Sequence, residues 1–548
     1  MNKSFRILAA AAMIAAAASC ASLDKMVQMA ENVKVTCEPG VLEAVNGSVD
    51  AQIAVTCPEG YFNPKAIVEV TPVLVYEGGE AKMKPFVYQG EKVKDNYKVV
   101  SADGQTVRER LHFDYVEGME KSHLELRGVA RKGDKFVNLP VKKVADGLNT
   151  TYMLVKRDGF VTPKADAYQE VISSTAEGQI KYLVNSAEVR NSELKGKSVK
   201  DFLAAIDQIN ADERTSITGT EILAYASPEG PENKNNELAD KRSSSANKAL
   251  REMGKKHDIS EASVRSLGED WEGFQQLVRE SDIQDKDLIL RVLSMYSDPN
   301  VREREIKNMS SVYTELADKI LPELRRARFI TNVEYTNFTA DELTNLLENN
   351  INELDEEALL RAATLVKDND AKLAAYKKAI AKFDSDRAKY NAAVISLFKN
   401  EDRNAKDYLA SMNNKTGELY NNAMGVLAMR AGKNDEAASY FAKAGKTANE
   451  NAAVLDILNG KYADAAAKLK DAQGHNAVLA ALLNNDLKTA SDKAASHTCL
   501  RMAYYKAIIA ARKGDATGVQ KNLAAAYKKD ASLRERAAND IEFAGYDL

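Results

Sequence analysis

Histidine, cysteine and tryptophan are scarce in this sequence, with five, four and one residues among 548. So few histidines and cysteines leave little material for a metal site built from clusters of these ligands. The formal net charge of −4 also lacks the basic surplus that nucleic-acid-binding proteins usually carry. We therefore expect no metal, no other cofactor and no nucleic-acid partner.

Recognisable catalytic motifs are missing as well. The sequence has no glycine-rich phosphate loop of the Walker type, and no histidine stands in the context of a serine or cysteine triad. His497 and Cys499 together offer only two potential ligands. We predict that the protein is not an enzyme and that it has no catalytic residues.

The N-terminus carries an uninterrupted run of mostly apolar residues. This run is too short to span a bilayer. Lys3 and Arg6 come before the apolar residues 7–18, as in a secretory signal peptide. Ala17-Ala18-Ser19-Cys20 follows, and small residues directly before a cysteine resemble the lipobox of bacterial lipoproteins. The resemblance implies that residues 1–19 are removed and that Cys20 is acylated. The alternative is an ordinary signal peptide cut near Cys20.

The residues after Cys20 bear on where the anchor faces. Surface-exported lipoproteins of the Bacteroidota tend to carry an acidic cluster there, whereas this sequence has only Asp24. We therefore expect residues 20–29 to form a lipid-anchored linker on the periplasmic face of the outer membrane.

Residues 30–165 carry the patterns of β-strands. Alternating or β-branched stretches are separated by turn signals such as Asn46-Gly47, at spacings of about 8–12 residues, which predicts an all-β sandwich. A two-residue turn at Asn46-Gly47 would bring Cys37 within one position of Cys57, and a bulge near Pro39 would then allow a disulfide. Two buried free cysteines are the alternative.

Residues 170–340 alternate between strand and helix patterns. A strand over 178–184 is followed by a helix whose apolar face includes Val199 and Ile209, and then by a strand over 216–225. A second helix and a third strand, beginning at Val264, complete a β–α–β–α–β order, which predicts a small α/β domain.

The stretch 223–230 with Asn235 and Arg242 resembles the core of OmpA-like C-terminal domains, which read Gly-His-Thr-Asp-x-x-Gly and then Asn-x-x-Leu-Ser-x-x-Arg-Ala. That family binds peptidoglycan, and its aspartate and arginine hold the two ends of the diaminopimelate side chain. The resemblance implies that Arg242 holds the ligand carboxylate, with Asn235 as the matching asparagine.

This sequence departs from the family at the aspartate, whose position is occupied by Ser227. Glu229, two residues on, would have to hold the ammonium group instead. The alternative is that Arg242 braces the loop and the domain binds no cell wall. A helical stretch over 273–324 also separates the third strand from Arg325, where the family's final strand would begin, so we expect a helical insertion.

Residues 346–548 are rich in alanine and lack proline, which predicts an all-α region. Gly425, Ala437, Phe441 and Ala444 resemble the packing positions of a tetratricopeptide unit. Small residues recur every 25 to 32 positions, against about 34 in the family, at Ala405, Ala437, Ala465, Ala490 and Val519. We expect five or six helix pairs in a solenoid that binds a protein partner, with a plain helical bundle as the alternative.

Two functions agree with these patterns. One is a non-enzymatic cell-envelope scaffold that is anchored through acylated Cys20, associates with peptidoglycan through the OmpA-like domain and binds protein partners through the repeats. The other is a subunit of an outer-membrane assembly or secretion machine in which the OmpA-like domain binds no wall.

Overall fold

The computed structural model describes residues 23–259, 261–497, 499 and 501–548. The predicted signal peptide and the predicted lipidation site at Cys20 lie outside these residues. The chain forms two compact units, one of Met1–Lys164 with Lys389–Leu548, the other of Ala165–Ala388. The predicted multidomain architecture, with a β-rich N-terminal region and an all-helical C-terminal region, is confirmed.

The N-terminal part of the first unit is built from strands. They are β1 (Lys34–Glu38), β2 (Leu42–Val45), β3 (Ser48–Cys57), β4 (Ile67–Tyr76), β5 (Gly79–Lys82), β6 (Phe86–Gly90), β7 (Lys98–Val100), β8 (Gln105–Asp114), β9 (His123–Lys132), β10 (Lys135–Asn138), β11 (Lys142–Asp146) and β12 (Leu148–Asn149). One sheet has the order β1–β3–β2–β12, with β8 also paired to β3. The other has the order β10–β9–β4–β6–β7, with β11 on β9 and β5 on β4. Val107 of the first sheet and Val68 of the second share one buried cluster, so the sheets enclose a common core.

Residues 23–29, predicted to belong to a linker, form a helix (α1) that packs on this β-rich region. Leu23 and Met26 are each 1% exposed, in the same buried cluster as Val33 and Tyr61. The linker prediction is therefore wrong for 23–29, because apolar side chains three residues apart give this stretch a buried helical face.

The predicted Cys37–Cys57 disulfide is wrong, since both cysteines are free thiols. The Asn46-Gly47 turn forms as predicted, but it joins β2 to β3. Cys37 lies on β1, where it faces Ile53, four residues from Cys57 and about 13 Å away along the strand. Burial raises the pKa of the Cys57 thiol to about 11, as expected for an inert buried cysteine.

The second unit contains one sheet among its described residues. Its elements are β13 (Val171–Lys181), α2 (Asn191–Leu194), α3 (Lys197–Ala211), β14 (Thr215–Ala226), α4 (Glu232–Gly254), β15 (Ser263–Glu269), α5 (Trp271–Glu280), α6 (Lys286–Met295), α7 (Pro299–Asn308), α8 (Ser310–Lys319), α9 (Leu321–Leu324), β16 (Arg326–Thr336), α10 (Ala340–Asn349), α11 (Glu356–Leu365) and α12 (Asn369–Phe383). The strand order is β13–β16–β14–β15; β14 and β15 are parallel, and β16 is antiparallel to both of its neighbours.

This unit contains the predicted β–α–β–α–β order. Val199, Phe202 and Ile206 form the buried face of α3, which packs on the sheet. Helices α5 to α9 occupy the region of the predicted insertion and have a buried apolar cluster of their own. The sheet is completed by β16, close to the strand start expected near Arg325.

The C-terminal region of the first unit is helical. Its helices, the first of which spans the boundary between the units, are α13 (Asp386–Phe398), α14 (Asp402–Ser411), α15 (Glu418–Arg430), α16 (Asn434–Ala444), α17 (Asn449–Leu458), α18 (Tyr462–Lys468), α19 (His475–Leu483), α20 (Leu487–Ala495), α21 (Met502–Arg512), α22 (Ala516–Lys529) and α23 (Leu533–Asn539). Helices that follow one another pack in pairs, such as α15 with α16 and α21 with α22. The expected start of this region at residue 346 differs from the structure, because α10 to α12 belong to the second unit.

The small residues predicted at helix contacts lie where the paired helices meet. All five of them are fully buried on the second helices of the pairs: Ala405, Ala437, Ala465, Ala490 and Val519. A Cβ on Gly425 would lie 2.4 Å from the ring of Phe441, so glycine is required for the close approach of α15 and α16.

Candidate functional site

The four residues predicted to bind the cell wall lie near one another at the carboxyl end of β14. Ser227 and Glu229 belong to the loop after this strand, and the Ser227 hydroxyl donates to the Glu229 carboxylate over 2.5 Å. Asn235 and Arg242 lie on α4. The Asn235 amide donates to the carboxylate of Glu269 over 2.8 Å, so it braces the loop at the end of β15.

Arg242 is used by the backbone of its own domain. Its side chain is 1% exposed and donates to the carbonyls of Leu183, Ser186 and Tyr225 over 3.2, 3.0 and 2.9 Å. Burial lowers the pKa of the guanidinium to about 10, which leaves it protonated at neutral pH. The donors predicted to hold a ligand carboxylate therefore tie the loop after β13 to α4, which corresponds to the bracing alternative.

Glu229 is paired as well. The guanidinium of Arg325 donates to both of its carboxylate oxygens, over 2.7 and 2.9 Å. Burial alone would raise the pKa of Glu229, but the hydrogen bonds from Arg325 and Ser227 hold that pKa below its usual value. The carboxylate predicted to receive an ammonium group thus already has a cationic partner in Arg325.

A second polar site, which no motif predicted, lies on the first helices of the C-terminal pairs. It holds Leu154–Lys164, a segment named the strap, which follows the β-rich region. Leu154 ends a short 3-10 helix (Thr151–Leu154), and residues 155–164 continue from it as an extended connection. The carbonyls of every second strap residue accept hydrogen bonds from these helices, as the period of two in an extended chain allows. In order they are Leu154 from Tyr505, Lys156 from Asn476, Asp158 from Arg430, Phe160 from Asn422 and Asn451, Thr162 from Tyr390, and Lys164 from Asn391.

Three asparagines bind both main-chain groups of one strap residue. Each accepts the N–H on its amide oxygen and donates its amide N–H to the carbonyl, with distances between 2.7 and 3.0 Å. The pairs are Asn476 with Lys156, Asn451 with Phe160, and Asn391 with Lys164. A primary amide has the donor and acceptor that a neighbouring strand would offer, so each side chain replaces one residue of a sheet.

The fourth asparagine, Asn422, donates to the Phe160 carbonyl over 2.9 Å and accepts from Asn451 over 2.7 Å. The four are named the asparagine row. Asn391, Asn422 and Asn451 are each at most 2% exposed, so the strap satisfies amides that would be costly to bury without partners.

At Gly159 the backbone of the strap lies directly against Val426 of α15. This residue has φ of +79°, and a Cβ there would lie 2.3 Å from a methyl carbon of Val426. A cavity of about 170 Å³ remains beside this point, lined by strap residues 156 and 158–160 and by residues of α17 and α19. Two of the side chains that line it have shifted pKa values: burial raises the pKa of Glu450, and burial together with nearby cations lowers the pKa of His475.

The β-rich region meets the last helices directly before the strap begins. Glu542 accepts hydrogen bonds from Thr151 over 2.9 Å and from Asn149 over 3.2 Å. Arg512 donates to the same carboxylate over 2.9 and 2.5 Å. The strap therefore continues an interface that already joins the two parts of the first unit.

Sequence reasoning missed the asparagine row, although a signal exists. Asn422 stands three residues before Gly425, and the other three asparagines occupy the equivalent position in the first helix of their own pairs. Successive members of the row are 31, 29 and 25 residues apart. These intervals follow the repeat length, so the row becomes visible only when the repeats are aligned with one another. A lone asparagine in an exposed or buried helix carries no such information.

Among the described residues, no group of three or more His, Cys, Asp and Glu side chains is arranged to hold a metal ion. Cys499 is exposed, and its sulfur lies 3.3 Å from Nε2 of His475. None of the described helices has the length and apolar character that a bilayer span requires.

No protein-family model matches this sequence, and no curated protein is similar to it at a significant level.

Proposed function

We propose that this chain is a non-enzymatic lipoprotein of the outer membrane, on its periplasmic face, that acts as an envelope scaffold and binds extended polypeptide through its helical repeats. The asparagine row carries the proposal. Side chains that recur once per helix pair hold the main chain of an extended segment, and main-chain recognition accepts many sequences. Such a surface suits a scaffold, whereas a reaction would need a group that acts on a substrate atom.

Attachment through acylated Cys20 is tested by Cys20→Ala. The variant is expected in the soluble periplasmic fraction, because none of the described helices can hold the protein in a bilayer. Cys37→Ala is the matched control, since Cys37 lies on β1 and should leave membrane attachment unchanged. A Cys20→Ala protein that stays in washed membranes would mean that another part of the envelope holds it.

Peptidoglycan association is a second candidate function. It is favoured by the grouping of Ser227, Glu229 and Arg242 at the carboxyl end of β14, where α/β domains usually place ligands. It is opposed by the hydrogen bonds that these groups already make within the protein, because a wall peptide would have to displace Arg325 from Glu229 and three carbonyls from Arg242. Protein binding is therefore the first candidate.

Sedimentation with purified peptidoglycan separates the two candidates. Full-length protein is expected to stay in the supernatant. Co-sedimentation that Glu229→Gln abolishes would establish wall association instead. Crosslinking mass spectrometry on intact cells then tests the scaffold directly, with crosslinks from the repeats to other envelope proteins as the expected result. Detergent co-purification of a stable multiprotein complex would favour the assembly-machine alternative.

A further inference from the structure

Three features of the strap site point to a ligand from outside the chain. We propose that the asparagine row is a binding site for an extended peptide of a partner protein, that the strap occupies it as a resident competitor, and that any ligand in this register needs glycine at the position of Gly159. The proposal rests on the scaffold function proposed above and names the class of its ligand.

The first feature is that the strap is held mainly through its backbone. Its carbonyls at alternating positions and three of its N–H groups bind the helices, whereas Arg157, Asp158 and Thr162 have exposed side chains. Even Phe160, at the centre of the row, is 47% exposed. Val161 is the exception, since its side chain is 5% exposed and lies in the apolar core of the first unit. A site that contacts mainly the backbone selects an extended conformation, so another extended peptide with an apolar residue at this position can make the same hydrogen bonds.

The second feature is the sharp requirement at one position. Gly159 has a positive φ of +79°, which side-chain-bearing residues rarely adopt, and a Cβ there would lie 2.3 and 2.8 Å from the two methyl carbons of Val426. Both the backbone conformation and the space exclude a side chain. A ligand must therefore carry glycine directly before the residue that Asn451 holds.

The third feature is incomplete filling. The cavity of about 170 Å³ between the strap and helices α17 and α19 shows that the site is wider than its occupant at this point. A ligand with a larger side chain near Asp158 can gain contacts there that the strap does not make. The strap has the opposite advantage, because its covalent attachment gives it an effective concentration of about millimolar.

The experiment measures binding of a fluorescent synthetic peptide with the sequence of residues 151–165 to the full-length protein. Gly159→Val strains the strap and should open the site. Gly133→Val is the matched control, because Gly133 also has a positive φ of +59° but a Cβ there meets nothing within 4 Å. We expect Gly159→Val to bind the peptide about tenfold more tightly than the wild type or Gly133→Val.

Two further arms test the site itself. Adding Asn451→Ala to Gly159→Val should weaken peptide binding about tenfold, since two hydrogen bonds to the ligand are lost. A peptide in which valine replaces the glycine of position 159 should bind none of the proteins measurably. Equal binding of both peptides by Gly159→Val would overturn the glycine requirement.

The competitor role is overturned if Gly159→Val keeps the wild-type circular dichroism and melting temperature yet binds the peptide no better than wild type. If Gly159→Val does not fold, the smaller change Gly159→Ala is tested instead, and the measurement is the rate of tryptic cleavage after Arg157. Cleavage should be about tenfold faster than in Gly133→Ala, and an unchanged rate would overturn the proposal. These assays use purified protein, so their failure leaves the envelope assignment, tested by fractionation and crosslinking, unaffected.

Discussion

Polar side chains converge in two regions of this molecule, and the chain satisfies both of them in different ways. In the second unit, Arg242 binds carbonyls that lie 17 to 59 residues away in the sequence, all within the same α/β fold. In the first unit, the asparagine row binds a segment that lies 227 to 320 residues away. The arginine of the OmpA-like motif forms a local brace. The asparagine row, which no motif marks, holds a segment that is distant in the sequence.

The chemistry of the two regions differs as well. Arg242 is a buried cation that donates to three carbonyls. An external ligand can bind its guanidinium only by leaving those carbonyls unpaired. The amides of the asparagine row are neutral, and a second extended peptide offers them the same groups as the strap. Changes at Arg242 should therefore act on stability, and changes in the asparagine row should act on strap occupancy.

The largest expected effect comes from Arg242→Ala. Loss of the donor to three carbonyls should lower the free energy of unfolding of the second unit by about 3 kcal/mol or more, at about 1–3 kcal/mol for each unpaired acceptor. Urea unfolding with hydrogen exchange on β14 measures it. Arg265→Ala is the control, because Arg265 is exposed and its ion pair with Glu221 should contribute less than about 1 kcal/mol.

An Arg242→Ala protein with wild-type stability and reduced peptidoglycan sedimentation would reverse the comparison, since Arg242 would then be a ligand-binding residue and not a brace.

A smaller effect is expected from Asn451→Ala, which removes both hydrogen bonds to Phe160 and one to Asn422. Strap release should become easier by about 2 kcal/mol, so tryptic cleavage after Arg157 should be roughly thirtyfold faster. The control is Asn421→Ala, because the Asn421 amide donates to the Gly417 carbonyl of its own helix. Equal cleavage of the two variants would show that the row does not hold the strap.

The smallest effect concerns pH. Burial lowers the pKa of His475 in the folded protein, and the nearby cations Lys156 and Arg501 lower it further. As pH falls from about 7 to about 5.5, the unfolded chain therefore takes up this proton first, and stability is lost. The raised pKa of Glu450 acts in the opposite direction at lower pH, because the folded state is protonated first.

His475→Asn tests this prediction, since asparagine keeps a polar group at the start of α19 without titrating. The melting temperature of the wild-type first unit should fall over that pH interval, and the variant should show a smaller decrease. A steeper decrease in the variant would mean that the sign assigned to His475 is wrong.

Much of the secondary structure could be predicted because its causes are local. The apolar spacing from Val199 to Ile209 gives α3 whatever its partner, and small residues such as Ala437 mark helix contacts. The boundary of the helical region could not be predicted in this way. Helices α10 to α12 have the same kind of pattern as the later pairs, and periodicity does not specify the unit on which a helix packs.

Pairing over long distances was harder to predict. The turn at Asn46-Gly47 specifies the register of β2 with β3 but not of β1 with β3, so it does not predict the residue opposite Cys37. The sequence pattern includes the strap in the predicted β-sandwich, because an extended segment looks the same beside a strand or beside a row of amides. The grouping of Ser227 and Arg242 followed from the family resemblance, but their internal partners did not.

The central claim is that the asparagine row recognises the strap backbone, and residue-resolved hydrogen exchange of the wild-type strap tests it most directly. The amides of Lys156, Phe160 and Lys164 donate to asparagine oxygens and should exchange slowly. Arg157 is exposed and lies next to Lys156; by the alternation of an extended chain its amide should face away from the row and exchange fast. Uniform exchange along the strap, fast or slow, would contradict main-chain recognition by the row.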